Sequence, residues 1–321
     1  MFDRLSPVAR RVLLLIPVLL GVTVITFLLV HVSAEDAVDV LYRQSGTVSE
    51  SVKAATRARL GLDQPLPVQY VRWLVSLGSG TTVSLATGEP VGSMILSRLP
   101  VTAALTAASL ALTLVVSVPL GIYCALHKDQ PADYVLRVLS FGGNALPGFL
   151  TAFLLLYIVA VRWHWLPVLG DGSPVSYILP ACSLALPMSA KYIRYLRGAV
   201  LRECERPYVA ASLLRGIPYG VIVRHFVLRS SLLSLLPVLA LSIGSLLGGT
   251  AIIESIFRLD GIGYLAIRAL FLKDYPVIQT YVLWTAFLYS VVNLAADWLY
   301  HHFDPRIDGT GREGGNFHGD A

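Results

Sequence analysis

Six stretches of this chain run for 19 residues or more without Asp, Glu, Lys or Arg: Val12–Ala34, Leu99–His127, Val138–Val161, Gly172–Ala190, Ser230–Ile253 and Tyr275–Ala296. A helix needs about 20 apolar residues to cross a bilayer. The pattern therefore predicts an all-α integral membrane protein with six transmembrane helices. The next longest run, Trp73–Gly88, is shorter and rich in Gly, Ser and Thr, and reads as a loop. The fourth run opens with loop-like residues, Gly172 to Ser176. Its helix is expected to continue past Lys191 to about Arg197, with the basic side chains reaching toward the interface.

The first run has two readings. Arg4, Arg10 and Arg11 precede it and Val32-Ser33-Ala34 weakly resembles a cleavage site, as in a signal peptide. A signal h-region is only about 7–15 residues long, and this run is longer, which favours a retained anchor.

Composition agrees with a lipid environment. Of 321 residues, 55% are hydrophobic and 14% charged, with mean hydropathy +0.67. Soluble domains carry about 25% charged residues. The net charge of +5 need not imply nucleic acid, because basic loops also set membrane orientation. With both termini inside, segments 1–11, 127–137, 191–229 and 301–321 carry 15 Lys and Arg. The short outer segments 162–177 and 255–277 carry 4. The long outer segment 33–98 is discounted, since long loops translocate largely regardless of charge. The bias predicts cytoplasmic N- and C-termini. The organisation expected is a tail and first span over 1–34, an external region over 35–98, a five-helix core over 99–300 and a cytoplasmic tail over 301–321. The external region is too polar to sit in lipid, and the tail after Asp308 is Gly-rich.

One segment between the fourth and fifth spans, about 198–229, is punctuated as a short helix. Glu203 and Glu205 suit a helix's positive N-terminal end, Pro207 its first turn, Gly216 the C′ position and Pro218 a stop. That helix, Pro207–Arg215, offers Val209, Leu213 and Leu214 either to its own bundle or to a soluble partner. In the fifth span, Ala240, Gly244 and Gly248 recur every four residues, a spacing that lets helix backbones approach closely in lipid.

Several chemistries are missing. No Lys is followed by Ser or Thr, so there is no Walker A nucleotide loop. There is no H-E-x-x-H and no G-x-S-x-G. No catalytic residue and no metal site is expected. The three cysteines, Cys124, Cys182 and Cys204, are scattered. Proton- or sodium-coupled carriers commonly hold ionisable groups within their spans; their scarcity here argues against a stand-alone secondary carrier, which remains the alternative. His31 suits an interfacial hydrogen bond. The His301-His302 pair suits a helix C-terminus or a metal contact. Small and hydroxyl residues of the fifth span, Ser242, Ser245, Gly248, Gly249 and Thr250, suit a permissive water-lined path. Glu254 closes that span as an interfacial anchor or a hydrogen-bonded gate.

Tyr208-Val209-Ala210-Ala211-Ser212-Leu213-Leu214-Arg215-Gly216, followed by His225 and Leu228-Arg229-Ser230-Ser231, resembles the coupling loop of binding-protein-dependent ABC permeases, nearest to the B-type subunits of the dipeptide/oligopeptide/nickel branch. The wider superfamily writes this loop E-A-A-x-x-x-G; here Ala210 stands at the Glu position, Ser212 at the third, and Ser234 replaces a later Pro. Leu60-Gly61-Leu62-Asp63-Gln64-Pro65, Gly248-Gly249-Thr250, Gly261-Ile262-Gly263, Asp274-Tyr275-Pro276-Val277 and Asp304-Pro305-Arg306-Ile307 follow in the same order as in that family. The resemblance covers about residues 8–307. It implies a multi-pass subunit of the bacterial cytoplasmic membrane that is not itself an enzyme. It also implies a second permease subunit, two ATPase subunits carrying ATP and Mg, and an external substrate-binding protein. Tyr208, Ala210, Ala211, Ser212, Arg215 and Gly216 would then couple to the ATPase. The short third external loop leans toward nickel or metal chelates as cargo, with dipeptides or oligopeptides as the alternative.

Overall fold

The computed structural model describes residues 7–32, 37–42, 49–170 and 172–303. Arg4, the Asp304–Ile307 segment and the Gly-rich tail lie outside the described residues, as do the side chains of His301 and His302. Among the described residues no strand forms; one antiparallel bridge pairs Val83 with Pro90. The helices are α1 (Pro7–Val32), α2 (Ala37–Tyr42), α3 (Glu50–Leu60), α4 (Leu66–Gly78), α5 (Val91–Leu126), α6 (Pro131–Ala145), α7 (Gly148–Leu155), α8 (Ile178–Cys204), α9 (Pro207–Leu214), α10 (Tyr219–Ile222), α11 (Leu228–Leu233), α12 (Leu236–Phe257), α13 (Ile262–Phe271) and α14 (Tyr275–Phe303).

Three helical stretches are long and apolar enough to cross a membrane: Val91–Leu126, Tyr219–Phe257 and Tyr275–Ala296. The pair Pro131–Ala145 and Gly148–Arg162 makes a fourth if counted together, but it bends by 101°. The bend falls at Pro147, and proline disfavours the helical conformation for the residue before it. Leu146 is accordingly extended, at φ −80° and ψ 123°. The uninterrupted apolar run Val138–Val161 thus contains a break that counting charges does not see. In α1 the apolar stretch is Leu13–Leu29.

Two helices outrun their apolar runs. The N-terminus of α5 extends to Val91, past Arg98, whose Nε donates to Asp260 Oδ1 at 2.8 Å. At its C-terminus α8 continues to Cys204. There Arg197 is held by Asp133, and Arg194 lies over the Phe141 ring at 4.8 Å. These basic groups are partnered by protein groups as well as set at a helix end.

The segment between α1 and α5 is more helical than expected. Trp73–Gly78, read above as loop, is the second half of α4. Aromatic packing outweighs the polar residues that follow: Phe27 sits 5.3 Å from Tyr70 and 6.1 Å from Trp73, centroid to centroid. Tyr70 Oη lies 2.9 Å from Thr23 Oγ1, and His31 Nε2 lies 3.0 Å from Gln69 Oε1.

The chain divides into two compact units. The first comprises Met1–Ala108, Ala152–Ala181 and Leu246–Ser290, the second Ser109–Thr151, Cys182–Ser245 and Val291–Ala321. In the first, Val91, Met94 and Ile95 of α5 pack with Ile262, Leu265 and Ala269 of α13 and Val277 of α14. In the second, Ala125 of α5, Tyr192, Leu196 and Val200 of α8, Val209 of α9, Ile222, Val227 and Leu235 form one buried cluster.

Candidate functional site

The segment 198–229 is built around α9. Pro207 occupies its first turn, where the missing N–H costs no hydrogen bond. Ahead of it, Glu203 accepts a hydrogen bond from Tyr208 Oη at 3.1 Å and faces Arg206 Nε at 3.5 Å. Burial, then this carboxylate, pushes the Tyr208 phenol up to about 12, so it stays a neutral donor.

The helix ends in a two-bond cap. Gly216 N–H donates to Leu213 O at 2.9 Å and Ile217 N–H to Ser212 O at 3.2 Å. Gly216 stands at φ +79°, where a Cβ is disfavoured. The cap satisfies two carbonyls that would otherwise be orphaned. It also turns the chain so that Ile217 packs against the second unit's cluster.

The two faces of α9 differ. Val209 is buried, joining the helix to α8 and to the α10–α11 stretch; such burial contributes about 2 kcal/mol. Ala210, Ala211, Leu213, Leu214 and Arg215 are exposed, Leu214 at 91%. Tyr208 and Ser212 are half-buried between these faces. The three apolar positions read from the sequence therefore split, one packing inward and two facing away from this chain.

Sequence pattern gave no sign of a nearby ion pair. Arg197 Nε and Nη2 each donate to an Asp133 oxygen at 2.8 Å, and Arg137 Nε stands 3.7 Å away. Asp133 is fully buried and also accepts from the Asp129 backbone N–H at 3.1 Å. The pair ties the start of α6 to the end of α8. Its partners lie 64 residues apart, beyond any local periodicity.

The six candidates along α12 also divide. Ser245, Gly248 and Gly249 are exposed on one stripe, and a Cβ built on either glycine meets nothing within 4 Å. Ser242, Thr250 and Glu254 are buried. Ser242 Oγ accepts from Tyr192 Oη at 2.9 Å, within the second unit. Ser245 Oγ donates to Ser242 O within its own helix, at 2.9 Å.

Glu254 belongs to the first unit, where it is enclosed. Oε1 accepts from Thr102 Oγ1 at 2.8 Å, and Oε2 from the Tyr264 N–H at 2.9 Å. Thr102 Oγ1 in turn accepts from the Ile262 N–H at 2.9 Å. The carboxylate thus takes one of the N–H groups that open α13 directly and a second through the Thr102 hydroxyl, with its negative charge at the positive end of the helix. A Cβ on Gly261 would run into the carboxylate and stand 2.6 Å from Thr102 Oγ1. Gly263 packs as closely on Ala251. The Gly261-Ile262-Gly263 stretch is the sequence requirement for this close fit.

Asp274 plays a similar part. It is buried and accepts hydrogen bonds from Ser84 Oγ, Leu85 N–H at 3.1 Å and Ala86 N–H at 3.2 Å. These fasten the turn before α5 to the corner between α13 and α14. Among the described residues no cluster of three or more His, Cys, Asp or Glu is arranged to hold a metal ion.

The structure thus sets a short capped helix between two longer helical stretches of a largely apolar chain. Residues 117–309 match the family described as binding-protein-dependent transport system inner membrane component. Residues 4–106 match that system's N-terminal membrane component. The chain belongs to this family, the permease subunits of ABC transporters, in which ATP hydrolysis lies on separate subunits.

It is 34% identical over 314 residues to a Brucella ovis protein named "Putative peptide permease protein", covering 94% of this chain and 98% of the other. It is 35% identical over 302 residues to the Staphylococcus aureus nickel import system permease protein NikB, covering 92% and 90%. Its fold is similar to a chain of the MetNI methionine ABC transporter in an inward-facing conformation, with TM-score 0.55 and 16% identity. That match covers 67% of this chain and 99% of the other.

Proposed function

We propose that this chain forms half of the translocation path of an ATP-driven importer, paired with a second permease subunit. Two ATPase subunits would sit on its cytoplasmic side and a substrate-binding protein outside. In this reading α1, α5, the broken α6–α7 pair, α8, α12 and α14 serve as six spans, with both termini cytoplasmic. Residues 35–98 form an external region, 99–300 the core and 301–321 a cytoplasmic tail.

The observation that carries the reading is the two-sided α9. Val209 fastens it to its own unit, whereas Leu213, Leu214 and Arg215 are left for a partner. The small side chains of Ala210 and Ala211 let that partner approach the backbone. Closure of the ATPases would displace α9 and, through Val209, the helices it packs on. The buried candidates Ser242, Thr250 and Glu254 would hold the shape of the path, and the exposed stripe Ser245-Gly248-Gly249 would line it or meet the second permease.

Nickel or a metal chelate is the proposed cargo, supported by the likeness to NikB and the short third external loop. Small peptides are the second reading, favoured by the likeness to the Brucella protein. A single cysteine at Leu214, in a chain freed of Cys124, Cys182 and Cys204, tests the docking. In the assembled complex a short bifunctional thiol reagent should join it to an ATPase subunit. Failure to link from Leu214, while a cysteine at exposed Glu89 links to the ATPase, overturns the assignment.

A further inference from the structure

The helix α4, in the segment proposed to be external, packs on α1. Its inward ring face packs on the outer half of α1: Gln69 meets His31, while the Tyr70 hydroxyl reaches Thr23. Thr23 is eight residues before His31, about 12 Å deeper along a helix axis. If α1 spans the membrane with His31 near its outer end, Thr23 and Phe27 stand within the outer leaflet's share, roughly 15 Å, of the hydrocarbon layer. Trp73, which stacks on Phe27, then stands there too.

The opposite face of α4 is apolar and exposed among the described residues. Val68, Val71 and Val75 recur at i, i+3 and i+7 and are 44%, 58% and 65% exposed. The side of α1 turned away from α4 is also apolar, with Ile25, Leu28 and Leu29 all exposed. One polar group borders the stripe, Arg72, whose guanidinium bends back over Gly61. A long basic side chain at the edge of an exposed apolar helix face is the pattern of a helix seated at a lipid interface.

From this we infer that α4 is embedded in the outer leaflet, its Val68-Val71-Val75 face against acyl chains and Arg72 at the phosphate headgroups. The inference rests on the spanning role of α1 proposed above. It replaces the expectation that residues 35–98 all stand in water. A lipid-seated α4 would fix the external region at a constant height, so that the turn held by Asp274 meets arriving cargo in a set position.

Nitroxide labels on single cysteines replacing Val71, Val75, Leu28 and Glu89 test this in the complete transporter in liposomes, using variants that retain uptake. Oxygen collides with labels in lipid; chromium(III) oxalate collides with labels in water. Val71 and Val75 should give the oxygen-rich ratio of Leu28 on α1, and Glu89 the chromium-rich ratio. Chromium-rich ratios at Val71 and Val75, with Leu28 oxygen-rich, overturn the inference alone. A chromium-rich Leu28 overturns the spanning of α1 as well. Immobile labels at Val71 and Val75 that meet neither reagent also overturn it, and assign the face to another protein chain such as the second permease.

Discussion

Asp133 and Arg197 meet through two hydrogen bonds of 2.8 Å each, with the carboxylate wholly buried. Removing one partner leaves a charge without compensation, at a cost of about 3 kcal/mol. Asp133→Asn is therefore expected to lower the thermal midpoint of the purified protein. Replacing both residues with Leu should destabilise less than either single change, because neither member of the pair is then left buried without the other. A double variant less stable than both single ones would remove the pair's assigned role.

Gly216 occupies the left-handed region, which costs an ordinary residue about 1–2 kcal/mol. Gly216→Val should reduce uptake in the assembled transporter while membrane levels hold, and Gly216→Asn should reduce it less. Uptake measured with substrate-stimulated ATPase activity separates loss of coupling from loss of protein. Normal values of both in the Val variant would contradict α9 as the coupling element.

Glu254 accepts from Thr102 on one oxygen and from Tyr264 on the other. An amide offers one acceptor oxygen and sets an NH2 group against the remaining donor. Glu254→Gln should thus lower uptake despite its near-identical shape, and Gly261→Ala should destabilise the same corner by crowding the carboxylate. Unchanged uptake across pH in Glu254→Gln would reduce the residue to an anchor.

Labelling by an impermeant thiol reagent tests orientation, and the structure decides where to place the label. Ser84, though in the external region, is buried beneath Asp274 and would resist modification from either side. Cysteines at exposed Ser79 and Gln130 are suitable. With cytoplasmic termini, Ser79 reacts in intact cells and Gln130 only after lysis; the reverse pattern refutes the topology.

What the sequence made legible depended on local punctuation. The ends of α9 are marked by Pro207, Gly216 and Pro218, each acting within a turn of its own position, and the structure places the helix at Pro207–Leu214. Membrane-length apolar runs were visible for the same reason. The break at Pro147 was hidden because a proline adds no charge to a charge-free run. The helix α4 was missed because Phe27, which orders Tyr70 and Trp73, lies more than forty residues away in the chain. Asp133 with Arg197, and Glu254 with Thr102, join residues 64 and 152 apart, and no periodicity reports such pairs. The glycines of Gly261-Ile262-Gly263 could be seen, but their reason is the Glu254 carboxylate and Ala251 packed against them.

In the proposed function this chain supplies half of a gated path, with selection and energy coming from other subunits. Reconstitution tests it most directly: the chain alone in liposomes, with ATP at its cytoplasmic face and nickel chelates or small peptides at the other. No ATP-dependent accumulation is expected until the second permease, the ATPases and the binding protein are present, and substrate choice should then follow the binding protein supplied. ATP-driven, substrate-specific accumulation by the chain alone would contradict the account.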